Sequence, residues 1–247
     1  MSGHSKWHSI KHKKAIIDAK RGKVFTRVIK ELQIAARMGG SDPAANPRLR
    51  TAVQAAKDVN MPKDTMERAI KKGAGELEGE AYEELLYEGY GPGGVAIMVQ
   101  CTTDNKNRTA ADVRHAFQKC NGNLGQSGCV AYLFDRRGVI EAEAYSEDAV
   151  MEAAIEAGAL DVASEEGFHE VTTEPDDVQA VREALEAAGI KVTSSGVRQL
   201  PNTRKHLSLE EARAAQRLIA KIEEIDDVDE VYANYEVDEE VAAELGL

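Results

Sequence analysis

Two nine-residue segments, AIEAGALDV (154–162) and ALEAAGIKV (184–192), repeat one pattern: the end of an amphipathic helix, a glycine, then the start of an apolar strand. A glycine at that position closes a helix in the left-handed region. The flanks complete the pattern. Residues 138–142 (GVIEA), 160–164 (LDVAS), 168–172 (FHEVT) and 191–195 (KVTSS) read as strands, and 146–157 and 175–188 as helices. The resulting β-α-β-β-α-β order predicts a split βαβ, ferredoxin-like sheet that ends at Pro201-Asn202.

That unit constrains what surrounds it. After it come a helix over 208–224, with Leu209, Ala212, Ala215, Leu218, Ile219 and Ile222 at helical spacing, and a strand over 231–237. Two such elements cannot bury their apolar faces alone. Before it come strands over 84–88, 95–101 and 129–134 and a helix over 104–119, a set lacking one helix and one strand. The economical solution folds 206–240 back onto 84–134. We therefore expect an α+β chain of three domains: a helical domain over 1–80, a discontinuous ferredoxin-like domain over 81–135 and 206–247, and a second one over 136–205 inserted into it. Between the first two strands GYGPGG (89–94) matches a dinucleotide-binding GxGxxG, but a β-branched strand follows where a helix is required, and Pro92 interrupts it. A hairpin loop is expected.

The first 80 residues read differently. Phe25, Ile29, Leu32 and Ala36 form one helix face, with Lys23, Arg27, Lys30 and Arg37 opposite; Gly39-Gly40 ends this helix. Asn46-Pro47 reads as a cap and first position of a second helix, with Leu49, Val53 and Ala56 inward. Met61-Pro62 starts a third, closed by Gly73, and glycines and acids to residue 80 form a linker.

Charge separates the same parts. Residues 1–80 carry 17 Lys and Arg against 9 Asp and Glu; residues 81–247 carry 14 against 34. Such asymmetry predicts a polyanionic partner for the basic part, held away from the acidic remainder. The densest stretch is GHSKWHSIKHKKAIIDAKRGKVF (3–25). Lys6, Lys11, Lys13, Lys14, Lys20, Arg21 and Lys23 can neutralise phosphates, Trp7 can stack on an unpaired base, and His4, His8 and His12 can donate to phosphate. Arg27 and Lys30 extend the surface along the first helix. The three histidines recur every four residues, a helical metal spacing, but Gly3 and the lysines disfavour a helix there. No metal or cofactor is expected. Cys101, Cys120 and Cys129 are an odd set without paired spacing, which argues against a disulfide framework. No apolar run spans a membrane, and no apolar segment follows the basic start as a secretory signal requires, so a soluble cytoplasmic protein is expected.

GHSKW, IKHKKAIIDAKRGKVFT, GGSDPAANPRLR, NMPKDTMERAIKKGAG, YEGYGPGGVAIMVQCTTDNKNRT and VRHAFQKCNGNLGQSGCVAYLF follow one another in order. In these motifs, densest over residues 3–134, the chain resembles the YebC/PmpR family. The resemblance implies a three-domain α+β fold and no known enzymatic activity. It implies a probable DNA-binding transcriptional regulator, a label the bacterial members have long carried. It also implies a link to translation: mitochondrial members are translational activators of a cytochrome oxidase subunit, and family members have been linked to the ribosome and difficult proline-rich stretches.

One further cluster stands out. Asp104, Asn105, Lys106, Asn107 and Arg108, after Thr102-Thr103, form a polar turn that reads either as an interaction surface or as a helix cap by Thr103 or Asp104. The nearby His115 sits mid-helix with no nucleophile beside it, so no enzyme is expected. The acidic runs at 223–230 and 236–240 read as solvated faces. The outward residues of the first and third helices are mostly Lys and Arg, which position on phosphate without specifying bases. The irregular, Trp- and His-bearing arm suits folded or single-stranded RNA. The sequence thus favours a translation factor contacting ribosomal RNA, with promoter DNA as the alternative.

Overall fold

The computed structural model describes residues 21–77, 82–144, 146–165 and 167–246, with side chains from Phe25 onward. The helical domain consists of α1 (Arg21–Gly39), α2 (Pro47–Asp58) and α3 (Lys63–Gly73). Leu32, Ala35, Ala36, Leu49, Ala52, Ala56 and Ala69 are buried together between them. Small residues let the helices approach closely. Asn46 secures two helix ends at once: its Oδ1 accepts from Leu49 N at 3.1 Å, and its Nδ2 donates to Ala35 O at 2.7 Å and Gly40 O at 2.9 Å. Gly73 has a different role from the expected helix stop. It is the last residue of α3, and a Cβ there would lie 2.2 Å from the Gln33 carbonyl oxygen of α1. Gly75, with φ +79, makes the left-handed turn instead.

The middle domain opens with β1 (Glu83–Tyr90) and β2 (Ala96–Thr103), an antiparallel hairpin closed by the Pro92–Gly94 turn. Next come α4 (Lys106–Lys119) and β3 (Asn123–Leu124). After the inserted domain the chain returns as β8 (Lys205–His206), α7 (Leu209–Glu223), β9 (Val228–Ala233), β10 (Tyr235–Glu236) and α8 (Glu239–Leu245). The sheet order is β3-β1-β2-β9, so the returning segment supplies an edge strand against β2. Alternation along β2 explains its continuous apolar run. Val95, Ile97, Val99 and Cys101 pack with Phe117, Leu218 and Ile222 of the two helices. Ala96 and Met98 pack on the other face with Val130, Phe134 and Tyr232.

The inserted domain runs β4 (Phe134–Glu143), α5 (Glu147–Glu156), β5 (Asp161–Glu165), β6 (Phe168–Thr173), α6 (Val178–Ala187) and β7 (Lys191–Pro201). Its order β5-β6-β4-β7 is that of a ferredoxin-like sheet. The middle sheet has the same neighbour order, with the strand that comes third in the inserted unit coming first, as β1. The long antiparallel pair β4–β7, from Phe134↔Pro201 to Glu143↔Lys191, carries the chain out of one domain and back.

Three segments depart from the sequence reading. Residues 129–133 are a loop with a short 3-10 turn, and the strand starts at Phe134. The cause is Glu88, a buried carboxylate that accepts from Gly128 N, Val130 N and Ala131 N at 2.7–2.9 Å, removing those donors from any ladder. The strand expected over 231–237 breaks at Asn234, whose Oδ1 accepts from Ala96 N at 2.8 Å and whose Nδ2 donates to Thr203 O at 3.2 Å. The helix α8 was not foreseen in the acidic tail.

Candidate nucleic-acid interface

The residues from His4, Lys6, Trp7 and His8 through Lys11, His12, Lys13, Lys14 and Lys20 lie outside the described residues. Arg21 and Lys23 fall in the first turn of α1. Arg27 and Lys30 can be placed, and the second is a correction. Lys30 is 5% exposed and cannot reach a phosphate. Its Nζ donates to Thr102 O at 2.8 Å and Asp226 O at 3.1 Å, and lies 3.5 Å from Asp227 Oδ1. Arg27 is exposed, with Nε 3.9 Å from Asp229 and Nη1 4.0 Å from Glu230. Arg37 Nη1 donates to Tyr82 O at 3.0 Å. The face of α1 opposite its apolar stripe is therefore a docking face toward the middle domain. Its complement is the acidic run DDVDE, residues 226–230. That run, expected to be solvated, instead receives the chain's own basic helix.

Asp227 is the centre of this joint. Arg108 Nη2 donates to its Oδ2 at 2.8 Å, Thr109 Oγ1 lies 2.8 Å away, and Thr103 Oγ1 lies 3.1 Å away. Burial alone would push the Asp227 carboxyl up. The bonds from Arg108 and Thr109 and the charge of Lys30 outweigh it and hold the group below its ordinary value. Asp229 goes the other way: burial raises it, and the Thr102 hydrogen bond and the charge of Arg27 only partly compensate.

The same hub absorbs the polar turn. Asn105, rather than Thr103 or Asp104, caps α4 by accepting from Arg108 N at 3.1 Å. Asp104 pairs with Arg108 at 2.8 Å, and Lys106 pairs with Glu83. Asn107 is exposed beside them. This cluster lies at a domain joint: Asp104, Asn105, Lys106 and Arg108 have partners within the chain, while Asn105, Lys106, Asn107 and Arg108 stay exposed. Among the described residues no group of three His, Cys, Asp or Glu side chains is placed to hold a metal.

What α1 withholds, α2 and α3 present. Arg50, Lys57, Arg68 and Lys71 are exposed, and none makes an ion pair with a described residue. Lys63 is exposed too, 3.6 Å from Glu67. Arg48, by contrast, is clamped between Glu31 and Glu84, each at 2.6 Å from one of its nitrogens. Its hydrogen bond to Glu31, opposed by burial and helped by Glu84, raises its affinity for the proton further. The sequence reading did not single out Arg50, Lys57, Arg68 and Lys71. The signal for them was the net positive charge of the whole helical domain, which helical periodicity alone did not resolve into inner and outer faces.

Comparison with known proteins agrees with this architecture. The family model of the TACO1/YebC N-terminal domain matches residues 5–76, and that of the TACO1/YebC second and third domain matches residues 82–235. A relative from Treponema denticola is 58% identical, covering 97% of this chain and 98% of its own length. One from Desulforapulum autotrophicum is 56% identical, covering 98% of each. Both are called probable transcriptional regulatory proteins. The crystal structure of a conserved hypothetical protein from Aquifex aeolicus superposes with a TM-score of 0.84 at 50% identity, over 90% of this chain and 93% of the other. The chain belongs to the TACO1/YebC family.

Proposed function

We propose that the chain is a non-enzymatic regulator of gene expression that binds nucleic acid through its helical domain. The observation that carries this reading is the partition of charge in that domain: one basic face is neutralised against the acidic middle domain, while Arg50, Lys57, Arg68 and Lys71 stay exposed without partners among the described residues. The net acidic body repels a polyanion over most of its surface, which favours contact at this end and at the basic stretch before it. Cations on a helix surface can hold phosphates whatever the base sequence, and the Trp- and His-bearing stretch before the helices suits folded or unpaired RNA. That favours folded RNA, and within the cell the RNA of the ribosome, as the ligand. The names of the relatives favour promoter DNA, which is the second reading.

Crosslinking the protein to nucleic acid in cells and sequencing the recovered fragments separates the two. The intact chain is compared with one lacking residues 1–20. Ribosomal RNA enriched in one region and reduced by the truncation is the expected result. Discrete promoter fragments without ribosomal enrichment would make the chain a transcription factor. Recovery of neither would end the nucleic-acid reading.

A further inference from the structure

The acidic part of the chain has its own cationic spot. Residues 196–207 (GVRQLPNTRKHL) carry Arg198, Arg204 and Lys205 and no acid. Arg198 is committed to Glu141 at 2.6 Å. Arg204 and Lys205 make no ion pair with a described residue. They sit on the strap that leaves β7 and re-enters the middle domain, and this strap is fixed from both sides. Asn202 N donates to Leu133 O at 3.0 Å and its Nδ2 to Tyr132 O at 3.1 Å. Thr203 O accepts from Asn234, and Lys205 N donates to Asn234 O at 2.7 Å.

Beside the strap stands Tyr132, 67% exposed. Its hydroxyl lies 3.5 Å from that of Tyr90, which is held in turn by the carbonyl of Cys129 at 3.0 Å. Tyr90 leads into the Gly91–Gly94 turn, and the Nζ of Lys205 lies 3.5 Å from where a Cβ on Gly94 would be. The neighbouring acids already have partners: Glu211 accepts from Ser208 at the start of α7, and Asp238 faces His206 at 3.4 Å. Asp135 is 3.5 Å from Asn202. A lone exposed tyrosine is ordinary on a protein surface. Here the ring stands beside a fixed strap, next to Arg204 and Lys205, of which Lys205 also acts on Glu211 through its charge, and next to the exposed Gly94.

We propose that Tyr132, Arg204 and Lys205, with the Gly91–Gly94 turn, form a second nucleic-acid contact that receives unpaired nucleotides, with a base stacked on Tyr132 and the adjoining phosphates on Arg204 and Lys205. The proposal rests on the nucleic-acid reading above and adds a site on the face that joins the two ferredoxin-like domains. Gly94 is the exposed glycine of the turn and leaves its backbone uncovered beside Lys205, and the preorganised strap presents both cations without a folding cost. Stacking on an aromatic ring is indifferent to sequence, because every base offers a π-face.

The test uses the full chain and two fluorescent probes, a mixed-sequence unpaired 12-nucleotide RNA and a blunt RNA duplex of the same composition, titrated over a range of salt. Tyr132→Ala should weaken binding of the unpaired probe about tenfold and leave the duplex unaffected, while Tyr132→Phe, which keeps the ring, should bind as the parent does. Arg204→Ala with Lys205→Ala should lower the salt slope by about 0.7 for each phosphate no longer neutralised. Tyr132 and Lys205 are exposed and Arg204 is half-buried, so thermal melting checks that each variant keeps the fold. Parental affinity and slope in all three variants, with binding abolished only on changing Arg68 and Lys71, would overturn the second site and leave the helical-domain reading standing. No binding of either probe by the parent would overturn both.

Discussion

The helical domain carries two basic faces of similar composition and opposite fate. On α1, Lys30 is buried against Asp227, Arg27 leans on Asp229 and Glu230, and Arg37 holds the Tyr82 carbonyl. On α2 and α3, Arg50, Lys57, Arg68 and Lys71 face outward, unpaired among the described residues. The first face orients the domain and the second is left for a partner. A cation's type says nothing about which it will be. What decides is whether a carboxylate from another part of the chain arrives at hydrogen-bonding distance, and residues 226–230 arrive only because β9 pairs with β2.

The largest effect is expected from removing the carboxylate at the centre of the joint. Asp227→Ala leaves Lys30 and Arg108 without their shared acceptor and should destabilise the fold by about 3–5 kcal/mol, read as a lowered urea midpoint. A change within ordinary surface scatter would mean the joint carries no weight. Gly73→Ala tests the same domain from its core. The added methyl meets the Gln33 backbone, and the helices must separate at a cost of about 1–3 kcal/mol, again visible in urea.

The pH dependence sharpens the picture. Asp227 sits below its unfolded value, so its contribution is fully present above the ordinary carboxylate range and is lost as pH falls through its folded value. Asp229 sits above its unfolded value, so it is a cost at neutral pH that disappears on acidification. Asp229→Asn should therefore raise the midpoint at pH 7 and not below the unfolded carboxylate value. Asp227→Asn should lower it at pH 7 and flatten the acid limb. Identical pH profiles for the two variants would contradict the assignment. The smallest effect belongs to Arg27→Ala: its pairs are near 4 Å and half in solvent, so the change in stability is about 0–1 kcal/mol.

Local signals carried most of the fold. The Asn46-Pro47 start, the GYGPGG hairpin loop and the repeated helix-glycine-strand units describe short-range geometry, and each is where its residues imply. The pairing of β9 with β2 follows from a longer inference, that neither segment could bury its apolar face alone. What the sequence hid are long-range polar contacts. Nothing near Glu88 announces that it will take the N–H groups of Gly128, Val130 and Ala131 and turn an apparent strand into a loop. Nothing near Lys30 distinguishes it from Arg68, although one is buried and the other exposed. The polar turn at 104–108 reads as a cap or a surface because nothing local points to the domain joint, where the acceptor of Arg108 lies 119 residues further on.

The two basic faces do different work, and the salt dependence of binding separates them directly. Affinity for RNA would be measured against salt for the parent, for Arg68→Ala with Lys71→Ala, and for Lys30→Met. Removing the outward pair should lower the slope of log affinity on log salt by about 0.7–0.9 for each phosphate no longer neutralised while leaving the melting temperature unchanged. Lys30→Met should lower the melting temperature and leave the slope alone. A slope unchanged by the outward pair, or reduced by Lys30→Met, would contradict the claim.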